Sequence, residues 1–195
     1  HMKEGITFPS SEGQAQLCKE VLDMSGVEAS DISYVEAHGT GTKVGDRIEL
    51  EGMNAVYPQH GMPVGSVKSN MGHAECASGM MAMIKLMLMM EKETLLPNIG
   101  FELENCPHEH IKSGKFKVPT KLEAWKPGLS VVMNYGFGGT NGVACFAPGN
   151  IKIDANAKIV GKTSALCFGG DVDNVAMSAE ALGLQATWFQ EQCSL

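Results

Sequence analysis

The stretch VEAHGTGT, residues 35–42, decides how this chain folds. A second stretch, GSVKSNMGH at residues 65–73, follows it along the chain. Each delivers a histidine, His38 or His73, among small residues, at the end of a predicted buried strand or the start of a predicted helix. Short apolar runs bounded by glycine are typical of buried strands. Two histidines that face one cavity are what an enzyme needs to act on both an acyl thioester and a carboxylate.

Length and charge limit the classes of protein to consider. The 195 residues are enough for one domain with a sizeable core, and the hydrophobic fraction of 44% is ordinary for a globular protein. The net charge of −7 argues against nucleic acid or an anionic membrane as a partner. No apolar run reaches the roughly 18 residues that a membrane-spanning helix needs.

The cysteines predict a reducing, cytoplasmic setting. Six are scattered along the chain, and no pair has C-x-x-C spacing. A disulfide framework is improbable in a chain of this size without a secretory signal, and none is visible at the start. The first two residues, His1 and Met2, are interpreted as a cloning scar.

Hydrophobic periodicity and breakers predict an α/β fold. A helix follows a cap at Ser10 or Ser11 and ends at Gly26, and a second runs from Asp46 to Pro58. Strands are predicted at residues 32–37 and 63–67, and a long helix at residues 73–91. Strand and helix alternate with short loops, which favours parallel pairing.

The second half of the chain is predicted to complete the sheet. We expect an edge strand at residues 116–119, then an antiparallel pair, 129–133 and 142–146, around a glycine-rich turn. Seven methionines between Met71 and Met90 indicate an adaptable, tightly buried helix.

The character of the sequence changes after Pro148. We predict one domain over residues 3–150. Residues 151–195 are a tail of uncertain origin, either a linker or an extra strand and helix. The tail pattern favours a strand near Ile159, a break at Gly169 and Gly170, and a helix at residues 175–182.

Three segments carry candidate chemistry, and each also has a purely structural interpretation. His38 with its glycines and threonines is either a ligand loop or a strand-ending turn. Lys68 and His73 bracket a predicted helix start, where the helix dipole keeps an imidazole neutral, and Glu49 is placed to pair with Lys68. Phe137 among glycines is either a mobile gate beside exposed backbone N–H groups or a packed aromatic.

Together the three segments resemble the C-terminal half of the ketosynthase (β-ketoacyl synthase) family of the thiolase superfamily. The similar motifs are EAHGTGT at 36–42 followed by GDxxE at 45–49, KSNxGH at 68–73, and GFGGTN at 136–141. Their order and spacing agree with the family over about residues 5–148. The residues within the first two motifs are most similar to those of animal fatty acid synthases and iterative polyketide synthases. The resemblance implies the C-terminal half of a thiolase-like fold, a mixed sheet layered with helices.

The resemblance also implies roles for the catalytic residues. His38 and His73 correspond to the histidines that assist decarboxylation of a malonyl extender and stabilise the resulting enolate. Lys68 corresponds to the lysine that supports this site, with Glu49 as its structural partner. The implied reaction is decarboxylative Claisen condensation of an acyl thioester with malonyl-acyl carrier protein, in fatty acid or polyketide synthesis.

The same resemblance implies how substrate is carried. Thr40 and Thr42 correspond to hydroxyls that contact the phosphopantetheine arm of an acyl carrier protein. Phe137 corresponds to the gating phenylalanine, and its N–H is an expected oxyanion-hole donor. No tightly bound cofactor and no metal are expected; the weak Cys106 to His110 pattern lacks further ligands.

One departure from the family limits what the chain does alone. The family's nucleophilic cysteine lies in an N-terminal D-T-A-C-S-type elbow, and this sequence contains no such segment; Arg47 also stands where the family usually has proline. Two hypotheses follow: part of an enzyme that is inactive by itself, or a non-catalytic half-domain that binds or supports a partner. Both predict an N-terminal half-domain as partner, and an uncovered apolar face that promotes self-association.

Overall fold

The computed structural model describes residues 9–136 and 139–149, and the backbone of residues 168–169. The described α-helices are α1 (Ser11–Ser25), α2 (Lys43–Asn54), α3 (Lys68–Met71), α4 (Ser78–Lys92) and α5 (Glu109–Lys112). The described strands are β1 (Ile32–Glu36), β2 (Met62–Gly65), β3 (Thr94–Leu95), β4 (Phe116–Lys117), β5 (Glu123–Ala124), β6 (Leu129–Tyr135), β7 (Asn141–Ala147) and β8 (Phe168–Gly169). None of the described helices is long and apolar enough to cross a membrane.

Six strands form one mixed sheet in the order β4-β2-β1-β6-β7-β8, and β3 pairs with β5 separately. The first four strands are parallel, β7 is antiparallel to β6, and β8 is parallel to β7. The predicted parallel pairing, the antiparallel pair and the edge strand β4 are confirmed. Because β1 and β2 are parallel neighbours, their carboxyl ends, and the two histidine stretches that follow, lie at the same edge of the sheet.

Helices cover both faces of the sheet, and alternation along β1 separates the two faces. Val35 belongs to the core formed with α1 and α2, whereas Tyr34 packs in the core formed with α4. Glu36 shares the α4 face, where Lys85 of α4 contacts it. The α4 face therefore holds charged groups as well as apolar ones.

The ends of α1 are as predicted, but two other helix boundaries differ. Ser10 caps α1 by accepting the Gly13 N–H, and Gly26 ends it with a φ of 63°. Helix α2 begins at Lys43 rather than Asp46, and ends at Asn54, before Pro58. The long helix predicted from His73 begins only at Ser78, and Lys68–Met71 before it form the single helical turn α3.

Helix α4 is not tightly buried, contrary to the prediction from its methionines. One side packs on the sheet through Ala82, Leu86 and Met89, which are at most 1% exposed. The opposite side carries an apolar stripe, called the α4 stripe below, whose exposure runs from 41% to 58%: Met80, Ile84, Met87 and Leu88. An apolar stripe of this spacing normally faces a protein core.

Most of the predicted tail lies outside the described residues, including the strand near Ile159 and the helix at 175–182. A break was predicted at Gly169 and Gly170. Gly169 instead belongs to strand β8, which pairs with β7, and Gly170 is outside the described residues. The division at residue 150 remains a prediction.

Candidate active site

The fold brings the two predicted histidines together. His38 follows β1 and His73 lies between α3 and α4, and their ring centroids are 5.6 Å apart in an edge-on arrangement. His38 also meets the ring of Tyr135 at 5.8 Å. Sequence-distant segments thus place two imidazoles where one small substrate group reaches both.

The buried carboxylate of Glu49 binds the backbone of the His38 loop. One carboxylate oxygen accepts the His38 N–H at 2.7 Å, and the other accepts the Gly39 N–H at 2.9 Å. Glu49 is buried, and this burial raises its pKa to about 7 against the lowering effect of the two N–H donors. No ion pair within 4 Å joins Glu49 to Lys68 in the described part of the chain; both Glu49 oxygens bind the His38 loop, and the charge of Glu49 acts on Lys68 from further away, where it opposes the lowering of the Lys68 pKa.

Asn134, at the end of β6, orients the His38 ring. Its Oδ1 lies 2.9 Å from His38 Nδ1 and also accepts the Ser78 hydroxyl at 3.1 Å. An amide oxygen can only accept, so this contact assigns the proton of neutral His38 to Nδ1 and leaves the Nε2 lone pair free.

His73 differs from His38 in exposure and in tautomer. Its side chain is exposed, and its Nδ1 accepts the Glu75 N–H at 2.9 Å. A neutral His73 therefore carries its proton on Nε2 and is a hydrogen-bond donor there. The predicted helix dipole does not act on it, because α4 begins five residues later, at Ser78.

The electrostatics of the pocket keep His38 neutral. Burial first, and then the positive charge of Lys68, lowers the His38 pKa from 6.5 to about 4. The hydrogen bond to Asn134 opposes this shift, and His73 adds to it.

Lys68 opens α3 and is half-buried. Burial lowers its pKa, and the negative charges of Glu49 and Glu36 oppose that change. Lys68 thus acts on the site through charge: it lies close enough to His38 to affect the imidazole, without the ion pair predicted for it.

Thr40 and Thr42 lie beside a cavity. Their hydroxyls are 3.3 Å apart and bond each other. Both line a cavity of about 620 Å3, together with Lys68 and parts of the segment 98–108. Neither histidine is among the described residues that line this cavity, so it lies beside the histidine pair rather than at it.

Phe137 lies outside the described residues, so its predicted role as gate and oxyanion donor remains a prediction. On either side of it, the turn is closed by a bond from the Gly136 N–H to the Thr140 carbonyl at 2.8 Å. Within residues 9–136 and 139–149, no group of three or more His, Cys, Asp or Glu side chains is placed to hold a metal ion.

Sequence reasoning missed Asn134 and the partner of Glu36. Asn134 is a polar residue at the end of a mostly apolar strand, just before the glycine-rich turn, and that position was an available signal. Glu36 lies inside a predicted buried strand, where a carboxylate needs a partner, so its position was a signal for a buried cation such as Lys85.

Comparison with known sequences agrees with this geometry. The description "Beta-ketoacyl synthase, C-terminal domain" belongs to the family model that matches residues 1–102. A highly reducing polyketide synthase of Alternaria alternata is 46% identical over 145 residues, which cover 70% of this chain and 5% of that protein. Another, from Preussia isomera, is 44% identical over 149 residues, covering 71% of this chain and 6% of that protein. The chain thus spans only a small fraction of these relatives.

Comparison with solved structures shows the thiolase-like ketosynthase fold. The ketosynthase from module 6 of the bacillaene synthase of Bacillus subtilis 168 has a TM-score of 0.66 and 36% identity, over 73% of this chain and 27% of that one. The ketosynthase from module 1 of the bacillaene synthase of Bacillus amyloliquefaciens FZB42 has a TM-score of 0.67 and 35% identity, over 73% of this chain and 26% of that one.

Proposed function

The chain belongs to the beta-ketoacyl synthase family, of which it carries the C-terminal domain, and from that premise we propose that it supplies the decarboxylation machinery of a polyketide synthase. The single observation that carries the proposal is the His38–His73 pair at 5.6 Å, with His38 kept neutral by its surroundings. The product class is taken as polyketide rather than fatty acid because polyketide synthases are among its relatives.

In the proposed reaction, a malonyl thioester loses carbon dioxide and the electrons of the broken C–C bond pass into an enolate. Negative charge then develops on the thioester oxygen, where the Nε2–H of His73 is available as a donor. The enolate carbon attacks an acyl thioester held on a cysteine. The new C–C bond forms as the cysteine thiolate leaves.

His38 contributes differently in this proposal. With its proton bound to Asn134, its Nε2 lone pair faces outward as an acceptor. Nε2 accepts a hydrogen bond from an amide N–H of the phosphopantetheine arm and so positions the malonyl thioester, rather than donating to the enolate. The positive charge of Lys68 favours the anionic enolate in the same pocket.

We also propose that an acyl carrier protein presents the substrate on its phosphopantetheine arm. Thr40 and Thr42 belong to the loop that bears His38, and both line the cavity beside the histidine pair. Phe137 retains its proposed role as gate and N–H donor. The cysteine pattern supports a cytoplasmic setting.

The second candidate is a non-catalytic half-domain, and it applies to this polypeptide in isolation. No elbow cysteine occurs in the sequence, and the exposed α4 stripe marks a surface that fits another half-domain. We propose that an N-terminal half-domain supplies the cysteine and covers the stripe. The polypeptide alone should form no ketoacyl product from acyl thioester and malonyl-carrier protein.

The proposal is tested in a polyketide synthase that contains this chain. His38→Ala should strongly reduce the release of carbon dioxide from malonyl-carrier protein. The matched control is His60→Ala, at an exposed histidine outside the three motifs. Equal carbon dioxide release by His38→Ala and His60→Ala would contradict the proposed function.

A further inference from the structure

We propose that Glu36, together with Lys85 and Tyr34, is a positioning network that fixes the two histidine loops relative to each other. The inference rests on the proposed function, because it concerns the same reaction. It adds residues whose side chains contact neither histidine and which therefore act through the backbone.

The network is fully buried. Glu36 and Tyr34 are 0% exposed, and Lys85 is 5% exposed. Lys85 Nζ donates to Glu36 Oε2 at 2.7 Å and to the Tyr34 hydroxyl at 3.1 Å. The Tyr34 hydroxyl donates to Glu36 Oε2 at 2.5 Å.

The other oxygen of Glu36 joins the network to the second loop. Glu36 Oε1 accepts the N–H of Val67 at 2.5 Å. Val67 immediately precedes Lys68, where α3 begins, and Glu36 is the last residue of β1, two positions before His38. One carboxylate therefore bridges the segment that leads to His38 and the segment that leads to Lys68.

Lys85 extends this bridge to a third segment. It lies on α4, the helix that follows His73, so the ion pair fixes that helix against the end of β1. The segment that leads to His38, the segment that leads to Lys68 and the helix that follows His73 thus meet at a single carboxylate. A shift of any one of them would break a contact of Glu36.

The backbone leaves space for this arrangement at Gly65. A Cβ at Gly65 would lie 2.5 Å from the Tyr34 hydroxyl and 3.1 Å from Lys85 Nζ. The first distance is shorter than a Cβ contact allows, and the second would require Lys85 Nζ to shift by a few tenths of an ångström, so glycine leaves room for the network at this position. The missing side chain at the end of β2 therefore leaves the space that the Tyr34 hydroxyl and Lys85 Nζ occupy.

Charge burial alone would not favour such an arrangement. A buried ion pair is often no more stabilising than apolar residues of similar volume, because both charges lose their hydration. The network is therefore better explained by its geometric effect: it fixes where the loops lie. Decarboxylation depends on that placement, since the histidines must meet one thioester group.

Tyr34→Phe tests the proposal, with Tyr57→Phe as matched control. Both tyrosines are 0% exposed and both hydroxyls have a buried partner, which for Tyr57 is Cys18 at 3.1 Å. Tyr34→Phe loses two buried hydrogen bonds, with Glu36 and Lys85, and Tyr57→Phe loses one, so both should lower the unfolding temperature, Tyr34→Phe by more. Only Tyr34→Phe touches the network.

The measurements are carbon dioxide release and acyl loading of the cysteine, in the synthase that contains the chain. Tyr34→Phe should lower kcat for carbon dioxide release by about tenfold, with KM for malonyl-carrier protein nearly unchanged, since misplacement affects the reacting geometry. Tyr57→Phe should leave kcat unchanged.

A second variant separates placement from stability. Glu36→Gln with Lys85→Met keeps an acceptor for Val67, removes both buried charges and loses the tie to α4. Its unfolding temperature should stay close to that of the wild type, while carbon dioxide release falls. A full rate in this variant would overturn the proposal, as would equal kcat for Tyr34→Phe and Tyr57→Phe.

His38→Ala in the same assay distinguishes this proposal from the function on which it rests. If His38→Ala leaves carbon dioxide release unchanged, the proposed function fails. If His38→Ala abolishes release while Tyr34→Phe matches its control, only the positioning network is wrong.

Discussion

His38 owes its neutral state to burial and to the charge of Lys68, which lies further along the chain. Burial beneath surrounding groups and the positive charge of Lys68 lower its pKa to about 4, while Asn134 opposes the change. At neutral pH the imidazole therefore carries one proton, which the Asn134 contact places on Nδ1. The ring is fixed in charge and in orientation before substrate arrives.

Lys68→Gln should raise the pKa of His38. The substitution removes a positive charge that disfavours the imidazolium, so the pKa should move from about 4 toward its usual 6.5. NMR titration of the His38 ring, assigned with His38→Ala, measures the change. Lys112→Gln, at an exposed lysine, is the control. An unchanged His38 pKa in Lys68→Gln would show that Lys68 exerts no charge effect on the site.

The sequence predicts single residues well where a motif carries them. His38, His73 and Lys68 could be identified, and the structure brings them near one another. The partners of Glu49 and His38 could not, because hydrogen bonds such as His38 to Asn134 join positions 96 residues apart. Such contacts depend on sheet order, which local pattern does not contain.

At the scale of elements, α2 is joined to the histidine loop through one buried carboxylate. Glu49 lies on α2, and its two oxygens bind the backbone at His38 and Gly39. Its pKa in the folded chain is about 7, above its usual 4.5, mainly because of burial. The stabilising effect of this group is therefore complete below pH 4.5 and is lost as pH rises through 7.

Glu49→Gln should remove that pH dependence. The free energy of unfolding of the wild type, minus that of Glu49→Gln, should fall between pH 4.5 and 7, by roughly 3 kcal/mol for the pKa change. Denaturant unfolding across this pH range measures the difference. Glu104→Gln, at an exposed glutamate, should show no such trend. A difference that rises with pH would mean that the carboxylate is stabilised in its charged form.

The start of α4 shows why one element boundary was predicted wrongly. Residues 75–77 form a 3₁₀ turn, and Glu75 has a φ of 47°, which is unusual for a residue with a side chain. The N–H of Glu75 bonds the His73 ring instead of continuing a helix. Nothing in the run HAECAS, residues 73–78, marks a left-handed residue, so periodicity extended the helix too far.

At the scale of the whole molecule, the sequence predicts the α/β architecture better than it predicts which helix faces are exposed. Parallel strands β1 and β2, the antiparallel pair β6 and β7, and the edge strand β4 were predicted from periodicity and breakers. The exposed side of α4 was not, because an apolar helix has the same pattern whether its covering partner is present or absent.

The α4 stripe should cause the polypeptide to self-associate. Ile84→Glu with Leu88→Glu places two charges on exposed positions, so it should lower the sedimentation coefficient and dye binding without unfolding the chain. Leu122→Glu, at a residue 65% exposed and far from α4 in sequence, should leave both unchanged. A wild type that is strictly monomeric at high concentration, with little dye binding, would contradict this expectation.

The most direct test of the account is the partition between acyl loading and decarboxylation in His73→Ala, in a synthase that contains this chain. The Nε2–H of His73 is the donor assigned to the enolate oxygen, and loss of one preorganised donor costs roughly 3 kcal/mol, on the order of a hundredfold in rate. Labelled acyl loading of the cysteine and carbon dioxide release are measured on the same sample. We predict that carbon dioxide release falls by about this factor while loading stays close to the wild-type rate. Equal loss of both steps would contradict the account, since it would mean that His73 maintains the fold of the site rather than the decarboxylation.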